Sequence, residues 1–136
     1  MVRIGDRRLV LRDFEKVLFD KEEVTLDSNA LQKVEECYQF LKKFASDKVI
    51  YGINTGFGPM AQYKIEDDKC IQLQYNLIRS HCSGMGDAFD DTYIQAAMLC
   101  QLNTMMLAHS GIDTQVPKLI STLINEKICP IVFEHG

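Results

Sequence analysis

Between Thr92 and His109 the sequence is apolar almost all round, and that segment limits what the chain can become. Ile94, Ala97, Met98, Leu99, Cys100, Leu102, Met105, Met106 and Leu107 fill it, broken by Gln95, Gln101, Asn103 and Thr104. A helix with no polar face must be central, or must be covered by partner chains. Asp90 or Asp91 is placed to cap its start, and Ser110-Gly111 to end it. The neighbouring segments repeat a helical spacing. Leu11, Phe14, Val17 and Leu18 share one face. Leu31, Val34, Tyr38, Leu41 and Ala45 form a second stripe, widened by Cys37, Phe40 and Phe44, behind a cap at Asp27 or Ser28. Ile65, Leu73, Leu77 and Ile78 mark a third helix, ending near Ser80. Val116, Leu119, Ile120, Leu123 and Ile124 mark a last one, with Asp113 or Thr114 at its start and Pro117 in its first turn. The chain therefore reads as mainly α. A short β-hairpin is expected around Gly5-Asp6 and a short buried strand over "KVIYGI", near residue 50. "CSGMGD", residues 82 to 87, is a second break, and "ICPIVFEHG" is an apolar extended run. That apolar ending predicts a piece of a longer protein, because domains more often finish in polar, frayed segments.

Bulk composition removes several function classes. The 136 residues are 46% hydrophobic and 25% charged, which suits a globular core. A net charge of −4, with no Lys/Arg run longer than two, argues against a nucleic-acid face or an anionic-membrane patch. No apolar run approaches the ~20 residues of a membrane span, and "MVRIGDRRLV" has no apolar signal core. Cys37, Cys70, Cys82, Cys100 and Cys129 contain no C-x-x-C pair, so they are expected to be reduced, mostly buried thiols of a cytoplasmic protein. His81, His109 and His135 share no i, i+4 spacing, so no metal is expected.

"YGINTGFG", residues 51 to 58, holds glycines at 52, 56 and 58. Their spacing is neither the dinucleotide fingerprint nor a P-loop. Two readings remain open on spacing: a tight loop with Tyr51 half-buried, or a glycine-rich loop presenting Tyr51 to a site. A tyrosine transfers protons only if its surroundings lower a pKa that is ~10 when free. Ser80 and His81 stand where a helix meets a glycine turn, a position that suits a capping histidine or a ligand.

Together these motifs resemble one family. Tyr51-Gly-Ile-Asn-Thr-Gly-Phe-Gly58, then Asn76-Leu-Ile-Arg-Ser-His81, is similar in order and separation to the aromatic amino-acid ammonia-lyases. "IGDRRLVLRDFEKV" resembles the opening of the histidine lyases, and "AHSGIDTQVPKLISTLINEKICPIVFEHG" the approach to the family's cofactor loop. The resemblance implies residues 1–136 as the N-terminal part of a fumarase/aspartase-like lyase domain, in a helical homotetramer. It implies ammonia elimination from an aromatic amino acid, using a methylidene-imidazolone electrophile made from an internal Ala-Ser-Gly. It implies Tyr51 as the proton-transfer group on a lid loop that includes Gly52, Asn54, Thr55, Gly56 and Phe57. His81, Ser80 and Gly58 are implied at the substrate.

This chain contains no Ala-Ser-Gly. Its near misses are Ala45-Ser46-Asp47, Cys82-Ser83-Gly84 and His109-Ser110-Gly111. The triad is expected a few residues past Gly136, so the chain alone is expected to be catalytically silent. The Ser80-His81 pair resembles histidine lyases, which implies L-histidine to trans-urocanate. The alternative is a tyrosine lyase giving trans-coumarate, because a histidine also hydrogen-bonds a phenol. A reading of another class is a helical interaction module without catalysis.

Overall fold

A computed structural model describes residues 1–46, 48–60, 63–65 and 67–135. The elements run β1 (Val2–Ile4), α1 (Leu11–Leu18), β2 (Val24–Leu26), α2 (Ser28–Ala45), α3 (Asp67–His81), β3 (Met85–Ala88), α4 (Asp91–Met105), α5 (Gln115–Asn125) and β4 (Phe133–His135). The mainly α expectation holds. The chain forms two compact units, one of residues 1–40 with 88–132, the other of residues 41–87 with 133–136. No helix among the described residues is long and apolar enough to cross a membrane.

The first unit is built around α4. Leu99 and Leu102 have no exposed surface, and they pack with Val2, Ile4, Val17, Val24, Val34 and Ile124 in one cluster. α1 and α5 both pack on α4. Asp90 caps α4, its carboxylate accepting from the Thr92 N–H at 2.8 Å, and Asp27 caps α2 by accepting from the Ala30 N–H at 2.9 Å. Both caps are among those expected. α4 stops at Met105, short of the expected end. The left-handed residue nearest that end is Ala108 (φ 60°), where Gly111 was expected to do that work. Leu11 was expected on the core face of α1, yet it is 77% exposed, and the inward positions are Asp13, Phe14 and Val17. The five cysteines are unpaired, but none is buried, contrary to the expectation.

The opening hairpin is replaced by a different pairing. β1 pairs with β2 in parallel, Val2 opposite Val24 and Ile4 opposite Leu26, with α1 crossing between them. The reason lies in residues 7 to 13, which are committed to starting α1. Asp13 is 3% exposed. Its carboxylate accepts two hydrogen bonds from the Arg7 guanidinium, both at 2.7 Å, and one from the Val10 N–H at 2.9 Å. A returning hairpin strand would break all three. β2 gains a further partner on its other edge: the Asn125 carboxamide accepts from the Val24 N–H at 2.8 Å and donates to the Val24 carbonyl at 3.0 Å. One side chain thereby stands in for a third strand.

The expected strand near residue 50 is also absent among the described residues. The Ile50 N–H is taken by the Asn54 side chain, and the Ile50 carbonyl accepts from the Ile53 and Asn54 N–H groups. No backbone group of Ile50 is left for a ladder, and Val49 and Ile53 are exposed rather than buried. In the same unit β3 and β4 form a two-stranded sheet that the sequence did not announce at 85–88.

The Arg7 and Val10 hydrogen bonds hold the Asp13 carboxyl down at about 2, against an ordinary 3.8. A depressed carboxylate stabilises the fold fully above its unfolded pKa, and that stability is lost as pH falls through the folded one. Urea melts of this chain should therefore show about 2 kcal/mol of stability disappearing between pH ~4 and pH ~2. The Asp13→Asn variant should be less stable at neutral pH and should lack that component of the acid dependence.

Candidate functional site

The sequence-predicted site residues all lie in the second unit. The turn at 50–57 is formed by hydrogen bonds that begin at Ile50. Its carbonyl accepts from the Ile53 N–H at 3.1 Å and from the Asn54 N–H at 3.2 Å. Gly52 and Gly58 adopt left-handed φ values of 77° and 56°. Nothing lies within 4 Å of where a Cβ would sit at either, so backbone conformation, not space, calls for glycine there. The returning segment is tied by Gly56 N–H to the Tyr63 carbonyl at 3.2 Å and Ile65 N–H to the Asn54 carbonyl at 2.9 Å. A bridge joins Thr55 and Lys64.

Within this turn Thr55 is 1% exposed, its hydroxyl donating to the Gly56 carbonyl at 2.9 Å. Tyr51 is the opposite: 63% exposed, its ring meeting the Phe57 ring edge-on at 6.2 Å between centroids. Among the described residues its hydroxyl makes no hydrogen bond. The geometry thus separates a buried threonine anchor from an outward phenol. Asn54, a lid residue by resemblance, does more than its neighbours. Its carboxamide accepts from the Ile50 N–H at 2.8 Å and donates to the carbonyls of Ala45 at 3.2 Å and Lys48 at 2.7 Å. An asparagine between glycines is a known turn-former, but the sequence could not tell which carbonyls it would find.

His81 is the last residue of α3 and is exposed. Its Nδ1 lies 2.8 Å from the Leu77 carbonyl and 3.1 Å from the Ser80 hydroxyl oxygen. The Ser80 hydroxyl itself donates to the Leu77 carbonyl at 2.8 Å. A carbonyl only accepts, so Nδ1 must carry the ring proton. In the neutral ring Nε2 is then a bare acceptor directed away from the helix backbone. Such an acceptor suits a ligand ring that brings a donor. Tyr51 touches Phe57, and Ser80 touches His81. Among the described residues no hydrogen bond or ring contact joins Tyr51 to His81. An open apolar groove of about 520 Å³, lined by residues such as Phe89, Tyr93, Met98 and Val132, belongs to the first unit and holds none of the predicted residues.

No Ala-Ser-Gly is present among these 136 residues. Ser83-Gly84 follows Cys82, and a Cβ at Gly84 would lie 2.4 Å from Phe133 Cδ2, so the glycine is there to admit that ring. Ser110-Gly111 follows His109 and lies in the first unit. Asp47, of the third near miss, and Gly136 lie outside the described residues.

The sequence profile of the family described as "Aromatic amino acid lyase" matches residues 9–136. A probable histidine ammonia-lyase of Thermoplasma acidophilum is 36% identical over all of this chain, which covers 28% of that relative. A histidine ammonia-lyase of Bacillus thuringiensis is 35% identical, again over the whole chain and 27% of the relative. Among solved structures, a tyrosine aminomutase from Streptomyces globisporus superposes with a TM-score of 0.90 at 26% identity, over 99% of this chain and 26% of the other. The chain thus spans just over a quarter of the length of the curated relatives it matches.

The hydrogen bonding at His81 has a direct spectroscopic consequence. Nitrogen NMR of the neutral ring in this chain should find Nδ1 protonated and Nε2 bare. Ser80→Ala should loosen that preference while leaving α3 helical. A dominant Nε2–H form in the unsubstituted chain would contradict the geometry.

Proposed function

Because the chain belongs to the aromatic amino acid lyase family, as the match over residues 9–136 establishes, we propose that it supplies the proton-transfer and ring-recognition end of an ammonia-lyase site. The proposed reaction converts L-histidine to trans-urocanate and ammonia. Tyr51 takes a proton from the substrate β-carbon, a role that requires the rest of the complete site to hold its phenol ionised. The electrons of that C–H bond become the new double bond, and ammonia departs from the α-carbon. His81, held by Ser80 and the Leu77 carbonyl, accepts a hydrogen bond from the substrate ring through Nε2. Gly58 keeps the far end of the tyrosine turn free of side chain.

The single observation that carries this reading is that the same unit holds an outward Tyr51 phenol and a histidine whose tautomer presents an acceptor. Imidazole and phenol rings both bring a donor, and a phenyl ring does not. The histidine lyase names of the relatives tip the choice to histidine. The second reading, a tyrosine lyase giving trans-coumarate, is supported by the fold shared with a tyrosine aminomutase. The electrophile in this proposal is an imidazolone from an Ala-Ser-Gly outside these 136 residues. The complete protein would act as a cytoplasmic homotetramer. A free-standing helical module without catalysis is the contrasting class, and a continuing reading frame with an Ala-Ser-Gly past Gly136 separates the two.

In the complete protein, Tyr51→Phe should lower urocanate turnover by about 10²–10⁴-fold, the usual size of a positioned general base, with KM changed little. Steady-state assay of that variant decides the role: turnover near that of the unsubstituted protein would remove Tyr51 from the chemistry.

A further inference from the structure

We infer that Asn54 is the positioning residue of the site, the clamp that sets where Tyr51 stands. The inference rests on the proposed role of Tyr51 and goes one step behind it. Tyr51 has no means of its own to fix its direction: its hydroxyl is unbonded among the described residues, and its ring meets only the edge of Phe57. The backbone from Ile50 to Asn54 must do so, and Asn54 is what closes that backbone.

Every polar group of Asn54 is engaged. Its backbone N–H donates to the Ile50 carbonyl at 3.2 Å, and its carbonyl accepts from the Ile65 N–H at 2.9 Å. Its side-chain oxygen takes the Ile50 N–H, and its side-chain nitrogen spans the carbonyls of Ala45 and Lys48. The two carbonyls lie at and just past the end of α2, where helical carbonyls have no partner of their own. One carboxamide therefore caps α2 and closes the tyrosine turn together. Tyr51 cannot swing away on this turn without uncapping the helix. The demand is for one acceptor and two donors at fixed reach. Aspartate offers no donor, glutamine is one methylene too long, and alanine offers nothing.

Displacing a reacting group by about 1 Å costs about 10²-fold in rate. In the complete protein, Asn54→Ala should therefore lower urocanate turnover by about 10²-fold with KM within about twofold. Asn54→Asp, which keeps the acceptor for Ile50 but sets an oxygen against both carbonyls, should fall nearly as far. The discriminating variant is the double one. In a Tyr51→Phe background, Asn54→Ala should change turnover by less than about twofold, because a residue acting through Tyr51 has nothing left to position. Equal losses in both backgrounds, or an unaffected Asn54→Ala, would overturn the inference. An unaffected Tyr51→Phe would instead sink the proposed function, so the two failures are distinguishable. A readout needing no variant is amide exchange in this 136-residue chain. The Ile50 N–H should be protected and should exchange together with the last turn of α2; a freely exchanging Ile50 would show that the clamp is not closed.

Discussion

Burial of the central leucines of α4 is the constraint on which the first unit depends. Leu99 and Leu102 are fully enclosed, and the cluster around them draws a residue or more from β1, α1, β2, α2 and α5. Removing a side chain from such a position costs about 2–5 kcal/mol, because the cavity left behind cannot fully collapse. The polar devices serve that burial. The buried Asp13 is satisfied by Arg7 and Val10 at the start of α1, the helix whose Val17 joins the cluster. Asn125 seals the free edge of β2 from across the same unit. Unpaired, either polar group would cost more than it contributes.

The second unit works on another principle. Its helix α3 has no buried residue among those described, and Ile71, Tyr75 and Ile78 are exposed along it. Order comes instead from hydrogen bonds to backbone groups: the Asn54 carboxamide to Ile50 and the end of α2, the Gly56 N–H to the Tyr63 carbonyl, and the Ser80 and His81 side chains to the Leu77 carbonyl. Hydrogen bonds of this kind hold direction better than they hold stability, each contributing about 1 kcal/mol net. That suits the aiming role proposed for this surface, which carries the Tyr51 phenol and the His81 imidazole.

Much of this could be read from the sequence, and what could not has a physical cause. The helices, the Asp27 and Asp90 caps and the glycine breaks follow from local spacing, so α2, α3, α4 and α5 are found where expected. The β1–β2 pairing joins three-residue strands more than twenty positions apart, and no local pattern encodes it. "KVIYGI" has the composition of a strand, but the Asn54 carboxamide four positions on takes the Ile50 N–H first. At the candidate site, Tyr51, Ser80 and His81 are proposed from motif order alone. The tautomer of His81 and the reach of Asn54 were not legible there, since both depend on backbone carbonyls that only the folded chain brings into range.

A competition assay tests the central claim most directly. The complete protein is offered L-histidine, L-tyrosine and L-phenylalanine at equal concentration, and the products are resolved by chromatography. The acceptor at His81 predicts almost no cinnamate, and the likeness to histidine ammonia-lyases puts trans-urocanate in excess over trans-coumarate. Coumarate in excess would move the site to tyrosine, and cinnamate in excess, or no product at all, would contradict the account.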